Sequence, residues 1–172
     1  ADILVTALHE NQTLHTLNLS RIRIDDDDND DDDDDSHSKS ENSTTNASTF
    51  LVHLGNTQGL KVLLLDDVEF STEMMNELAQ SLRINKSLES LHLENMEGCV
   101  SWQSILESLH DNTTLKKLKI GQNRFNESDM KMLVVALCVN QSLRSLTLSG
   151  CSLADDDLVI LGEKLPEMQG LE

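Results

Sequence analysis

The chain has 172 residues, a length that allows one domain with a substantial hydrophobic core. Its formal net charge of −18 argues against nucleic acid and against an anionic membrane surface as partners, because both would repel it. Thirty residues are leucine and only 2% are aromatic, so leucine must do most of the packing. The sequence has no apolar run of the length that spans a bilayer.

Five copies of the pattern L-x-x-L-x-L predict five β-strands. In chain order the copies LHTLNL, LKVLLL, LESLHL, LKKLKI and LRSLTL begin at Leu14, Leu60, Leu88, Leu115 and Leu143. The last four copies follow one another at a nearly constant period, whereas the first interval is much longer than that period. Such regular self-similarity predicts stacked strand–turn–helix units.

The rest of each unit repeats as well. A further apolar residue follows most strands, at Ile24, Phe70, Phe125 and Leu153. An amphipathic segment such as ESDMKMLVVALCVN then has apolar residues at three- and four-residue intervals, which predicts a helix. A leucine returns before each strand, at Leu8, Leu54, Leu82, Leu109 and Leu137. The turn N-x-[ST]-L recurs at Asn11, Asn85, Asn112 and Asn140, where we expect the asparagine to serve the turn rather than to carry a glycan.

The surplus in the first interval is the segment 25–42, which lies between a strand-side turn and the helix that follows. Its ten aspartates are Asp25, Asp26, Asp27, Asp28, Asp30, Asp31, Asp32, Asp33, Asp34 and Asp35. Such residues repel one another and stay solvated, so we expect a disordered acidic loop insertion outside the core. It is open whether this acidic loop is a tolerated expansion, a lure for a basic segment of a partner, or a weak and unselective calcium binder.

The units resemble leucine-rich repeats of the ribonuclease-inhibitor subtype, which is also found in NOD-like receptors. In that subtype the consensus L-x-x-L-x-L-x-x-[NC]-x-L continues into a full α-helix. Asn123 and Cys151 occupy the [NC] position, while Ile22, Val68 and Met96 depart from it, and Gly98 departs at the last leucine of the third copy. The resemblance implies an α/β fold: a right-handed solenoid or horseshoe, with a parallel sheet on the concave face and helices on the convex face.

Both ends of the sequence fall inside a repeat. Ala1 aligns with Met75 within a predicted helix, and Leu171 stands one full period after Leu143, where a sixth strand pattern would begin. Solenoids need polar capping units, and the sequence contains none. We therefore expect residues 1–172 to be a single array that belongs to a longer one.

We find no residues arranged for catalysis, metal binding or cofactor binding. No histidine pair has the i, i+4 spacing of a helical zinc motif, and neither Cys-x-x-Cys nor a glycine-rich phosphate loop occurs. We expect the histidines to be solvent-exposed, and Cys138 and Cys151 to be buried packing residues rather than nucleophiles. Three cysteines without metal-type spacing favour free thiols in a reducing cytoplasmic or nuclear compartment.

The strand residues between the leucines predict the binding surface, because they point away from the core on the concave face. The predicted partner-binding residues are His15, Asn18, Lys61, Leu64, Glu89, His92, Lys116, Lys117, Lys119, Arg144 and Thr147. Three lysines on one strand, beside Arg144 on the next, form a basic patch in an acidic chain. This patch is an ordinary solvated face, or a site for an acidic protein surface, or a site that the acidic loop itself masks.

Together these patterns predict a non-enzymatic recognition scaffold that binds another protein, as a monomeric module of a larger receptor or regulator. The alternative resembles the Ran GTPase-activating proteins, which use the same repeat subtype and carry an acidic region. Their acidic stretch follows the repeats, whereas the one in this chain interrupts a repeat.

Overall fold

The computed structural model describes residues 6–8, 10–22, 46–96, 101–168 and 170–171. Five strands form one parallel sheet in chain order: β1 Thr16–Asn18, β2 Val62–Leu64, β3 Ser90–His92, β4 Lys117–Lys119 and β5 Ser145–Thr147. The helices are α1 Asn46–Leu54, α2 Thr72–Ile84, α3 Gln103–Asp111, α4 Glu127–Val139 and α5 Asp155–Lys164, followed by the 3₁₀ turn Leu165–Glu167. The predicted α/β fold of strands alternating with helices is therefore confirmed.

The leucine pattern sets the register of the sheet. The middle residue of every strand is a leucine, and these residues pair along one row: Leu17, Leu63, Leu91, Leu118 and Leu146. The three central leucines are fully buried, whereas those of β1 and β5 are half-buried. Because side chains alternate along a strand, this row fixes the first and third residue of each strand on the opposite, open face.

The helices form where the apolar residues recur at helical spacing. In α2 the buried residues Met75, Leu78 and Leu82 share one face, and Ser71 Oγ accepts a hydrogen bond from the Met74 N–H at 3.2 Å to cap the first turn. The recurring leucines before the strands, which the sequence predicts as core positions, are 0–6% exposed. The residues Leu8, Leu54, Leu82, Leu109 and Leu137 join one continuous core with the strand leucines.

The asparagines of the N-x-[ST]-L turns connect neighbouring repeats. Asn112 Oδ1 accepts hydrogen bonds from the backbone N–H groups of Thr114 at 3.0 Å and Leu115 at 2.8 Å, and its Nδ2 donates to the Leu82 carbonyl oxygen at 2.6 Å. Asn85 and Asn140 repeat this arrangement and are 0% and 4% exposed. Their amide nitrogens are buried and bonded, which confirms the structural role that the spacing predicts.

Each strand leads into a turn that contains a residue in the left-handed region of backbone conformation, which the leucine pattern did not predict. The φ angle of this turn residue is +63° at Arg21, +57° at Asp67, +53° at Asn95, +59° at Gln122 and +75° at Gly150. A side chain other than glycine carries some strain there. Hydrogen bonds between adjacent repeats offset it: Asp67 accepts from Arg21 Nε at 3.0 Å and from Asn95 Nδ2 at 2.7 Å.

The [NC] position contributes a hydrogen bond to the previous repeat where it holds Asn or Cys. Asn123 Nδ2 donates to the Leu93 carbonyl oxygen of the previous repeat at 2.7 Å, and Cys151 Sγ lies 3.2 Å from the Ile120 carbonyl oxygen. Val68 and Met96 replace these bonds by apolar burial, at 0% and 7% exposure. The acidic segment 25–42, together with Ile24, Gly98 and Cys99, lies outside the described residues.

Candidate partner-binding surface

The open face of the sheet gathers the predicted binding residues into three rows across the strands. The strand registers fix two of these rows, at the first and third strand positions. The third row is the set of residues directly before the five strands. The rows are Thr16, Val62, Ser90, Lys117 and Ser145; Asn18, Leu64, His92, Lys119 and Thr147; and His15, Lys61, Glu89, Lys116 and Arg144. All of these residues are half-buried or exposed.

Glu89 pairs with two of the predicted basic residues. Its Oε2 lies 2.7 Å from Lys116 Nζ, and its Oε1 lies 3.3 Å from Lys61 Nζ. The hydrogen bond from Lys116, followed by that from Lys61, lowers the pKa of the Glu89 carboxyl. The positive charge that the sequence predicts at Lys116 is therefore balanced by the Glu89 carboxylate. The signal was present in the sequence, because the three residues occupy one repeat position.

Arg144 is held at the edge of the same row. Its Nη1 donates to the carbonyl oxygens of Gln141 at 2.9 Å and Gly170 at 2.8 Å. The guanidinium thus supports the turn after the last helix and is not simply a member of the lysine patch.

Lys117 and Lys119 differ from these cations. They stand two residues apart on β4 with both side chains on the open face, and neither forms an ion pair within the part of the chain that the structure describes. Lys117 is exposed and Lys119 is half-buried. Like charges at this spacing repel each other, so their adjacency has an electrostatic cost.

His92 lies between the lysines and an acidic turn. Its Nδ1 is 3.9 Å from Asp66 Oδ2, and its side chain is 14% exposed, so the expectation of a solvent-exposed histidine is wrong here. Burial lowers the pKa of His92, Lys119 lowers it further, and Asp66 opposes the shift. Sequence reasoning missed this environment because it depends on the residues of two neighbouring strands.

Val62 and Leu64 add an apolar area on β2. Both are half-buried, with their side chains on the open face beside β3. A small apolar area two strands away from Lys117 and Lys119, on the same face, suits the core of a protein interface, where aliphatic anchors are surrounded by polar contacts.

A second concavity lies on the helical side, between α3 and α4. It has a volume of about 430 Å³, and Leu106, Met132 and the 62%-exposed Val135 contribute its apolar lining. Its charged residues are paired, since Arg83 Nη2 lies 3.5 Å from Glu107 Oε2 and Arg83 Nε lies 3.7 Å from Asp111 Oδ2. The groove was not predicted from the sequence, because the exposure of Val135 on α4 is visible only in the structure.

The described residues contain no group of three or more His, Cys, Asp or Glu side chains that is placed to hold a metal ion. Cys151 is 2% exposed, as predicted for a residue that packs under the edge of the sheet, and burial raises the pKa of its thiol. Cys138, predicted to be buried, is half-buried; both are free thiols. Within the described ranges no helix combines the length and apolar character needed to cross a bilayer.

Comparisons with known proteins agree with this architecture. A family model described as Leucine Rich Repeat matches residues 59–78, which include β2 and the first half of α2. The structure is similar to the Leiomodin-1 Actin-Binding Site 2, at 16% sequence identity and a TM-score of 0.67, covering 96% of this chain and 87% of that one. It is also similar to the tropomodulin C-terminal domain of Caenorhabditis elegans, at 14% identity and a TM-score of 0.66, covering 96% and 91% of the two chains. No curated protein matches the sequence. These likenesses show the leucine-rich-repeat fold.

Proposed function

We propose that this chain is a non-enzymatic recognition scaffold that binds an acidic surface of another protein on the open face of its sheet. The observation that carries the proposal is the lysine pair Lys117 and Lys119, which has no ion-pair partner in the described residues and lies on the same face as half-buried aliphatic side chains. A partner's carboxylates would relieve the repulsion between the two ammonium groups. The remaining predicted residues, from His15 to Thr147, lie in or directly before the five strands of the same sheet.

The proposal extends to the type of repeat. Full helices of 13 residues in α2 and α4, with Asn123 and Cys151 at the [NC] position, support the ribonuclease-inhibitor subtype. In this proposal residues 1–172 form one array with the acidic loop 25–42 as an insertion, and the array acts within a larger receptor or regulator. Free thiols at Cys138 and Cys151 support an intracellular compartment.

Differential affinity capture tests this function. The chain would be immobilised as wild type, as K117Q/K119Q, and as the control K86Q/K131Q, which removes the same charge from an exposed turn and from α4, where Lys131 lines the concavity between α3 and α4. We expect at least one protein from cell extract to bind the wild type and the control with equal yield and to be lost from K117Q/K119Q. Identical protein sets on all three baits would contradict the proposal.

Actin is a second, more specific candidate partner. It is favoured by the structural likeness to the Leiomodin-1 Actin-Binding Site 2, which covers 96% of this chain. Co-sedimentation with filamentous actin tests it: wild type and K86Q/K131Q should pellet with filaments, and K117Q/K119Q should remain in the supernatant. Absence of wild-type chain from the pellet would remove actin filaments as the partner.

The GTPase-activating alternative gains no support from the comparisons, and it differs from the scaffold in a measurable way. A GTPase activator would accelerate phosphate release by the Ran GTPase when added in catalytic amounts. We expect the rate of GTP hydrolysis to be unchanged by this chain, and a dose-dependent acceleration would favour the alternative.

A further inference from the structure

Two rows of the open face present the same order of side-chain chemistry. Register pairing places Val62, Ser90 and Lys117 in one row, and Leu64, His92 and Lys119 in the next. Each row therefore reads aliphatic, polar and cationic across β2, β3 and β4. The same order in both rows defines a direction across the sheet, from an apolar side to a basic side.

The distance between the two ends of each row follows from the sheet itself. Neighbouring strands lie about 4.8 Å apart, so the aliphatic and cationic positions, two strands apart, are separated by about 10 Å. Between them stand Ser90, which is small, and His92, whose side chain is only 14% exposed, so the centre of the rows does not obstruct an object lying across the strands.

We infer that this face binds a helix of a partner protein that carries an aliphatic side chain and a carboxylate two helical turns apart. The inference rests on the proposed function and names the chemistry of the partner. The aliphatic side chain lies against Val62 and Leu64, and the carboxylate binds Lys117 and Lys119. The axis of the helix crosses the strands.

Helical geometry matches this spacing. Residues i and i+7 of an α-helix are separated by about 10.5 Å along the axis and lie on the same side. In an extended segment, residues i and i+3 are separated by a similar distance of about 10 Å but point to opposite faces. Residues i and i+3 of a helix lie on one face, about 4.5 Å apart along the axis. A helix with two leucines, followed seven residues later by two glutamates, can therefore supply both rows at once.

The charge distribution disfavours the other occupants. A second copy of the chain also has a formal net charge of −18, so two copies repel each other at long range. The acidic segment 25–42 contains ten aspartates and no leucine, which matches the cationic end of the rows but not the apolar end.

The test uses two synthetic helical peptides of identical composition, each about 20 residues long so that the helix is well populated. The first has leucines at i and i+3 and glutamates at i+7 and i+10. In the second the glutamates stand at i+5 and i+9, on the opposite side of the helix. Binding of the fluorescently labelled peptides to the full chain is measured by anisotropy, with circular dichroism to confirm that each protein variant is folded.

We expect the first peptide to bind the wild type roughly tenfold more tightly than the second, a difference that corresponds to about 1.4 kcal/mol. K117Q/K119Q should lose about tenfold of that affinity, and K86Q/K131Q should retain it. Equal affinity for both peptides, or unchanged binding by K117Q/K119Q, would overturn the inference. Two further results would also overturn it. If the peptide binds only after residues 25–42 are deleted, the acidic segment occupies the face. If sedimentation shows a wild-type dimer that the peptide dissociates, a second copy of the chain occupies it.

Failure of this inference is distinguishable from failure of the proposed function. If capture shows a partner that depends on Lys117 and Lys119 while the two peptides bind equally, the helical pattern is wrong and the scaffold function stands. If no partner depends on these lysines, the function itself is wrong.

Discussion

At the scale of single residues, the turn asparagines contribute stability by satisfying backbone groups of two repeats at once. Asn112 is 3% exposed and makes two hydrogen bonds within its own turn and one to the preceding repeat. We expect N112A to lower the free energy of unfolding by about 2–4 kcal/mol, because a buried backbone group left unpaired costs about 1–3 kcal/mol. Urea denaturation measures this loss.

Asn11 is the matched control for that substitution. It accepts the same two turn hydrogen bonds, from Thr13 and Leu14, but it is exposed. N11A should therefore cost about 1 kcal/mol or less, since water can replace the lost bonds. Equal losses at the two positions would show that the bond between repeats contributes nothing.

His92 makes the stability of the chain depend on pH. Burial and Lys119 depress its pKa in the folded state, although Asp66 partly offsets this. The unfolded chain then binds the proton more readily, so stability is complete above the unfolded pKa of about 6.5 and is lost as the pH falls below it. We expect H92Q to lose less free energy of unfolding than the wild type between pH 7 and pH 5. Parallel curves for the two proteins would contradict this prediction.

At the scale of elements, the cap of α4 also joins two repeats. Asn126 Oδ1 accepts from the Asp129 N–H at 2.9 Å, and Asp129 Oδ2 accepts in return from the Asn126 N–H at 3.1 Å. Asp129 Oδ1 is also 3.4 Å from the backbone nitrogen of Trp102, at the start of α3. The Asp129 residue is 4% exposed, so both bonds are shielded from water.

Two substitutions at this cap position separate the local contribution from the one between repeats. D129A should lower the free energy of unfolding by about 2–3 kcal/mol, as expected for a cap that also satisfies a buried donor. D157A removes a similar bond, to the Ala154 N–H at 2.9 Å in α5, but no bond to another repeat is described for it. It should cost about 0.5–1 kcal/mol. Thermal or urea unfolding of both variants measures the two losses of stability. A loss for D157A equal to or larger than that for D129A would contradict the prediction.

The elements and the site were predictable from the sequence to different degrees. Strands, helices and core leucines followed from the regular period of the leucine pattern, because each repeat needs its neighbours to bury its own leucines. The residues of the open face followed from alternation along the strands. The pairing of Glu89 with Lys61 and Lys116 could have been found, because the three residues occupy one repeat position. The partial burial of His92 depends on side-chain conformations across strands, which periodicity does not encode. The left-handed turns were missed because residues such as Arg21 give no glycine signal.

At the scale of the whole molecule, stability is distributed unevenly along the array. Leu91 in the central strand is 0% exposed, whereas Leu146 in β5 is only half-buried. L91A should therefore lower the free energy of unfolding by about 3–4 kcal/mol, near the middle of the range for buried leucines, and L146A by about 1–2 kcal/mol. Chemical denaturation provides the comparison, and equal losses would argue against a core shared between neighbouring repeats.

The most direct test of the account is lysine footprinting on the chain bound to the partner obtained by affinity capture. Amine acetylation, followed by mass spectrometry, compares the reactivity of each lysine in the free and bound states. The open-face interface predicts that Lys117 and Lys119 become several-fold less reactive on binding, while Lys86 and Lys131, on other surfaces, keep their reactivity. Protection of Lys131 with unchanged reactivity at Lys117 and Lys119 would place the interface on the helices and contradict the account.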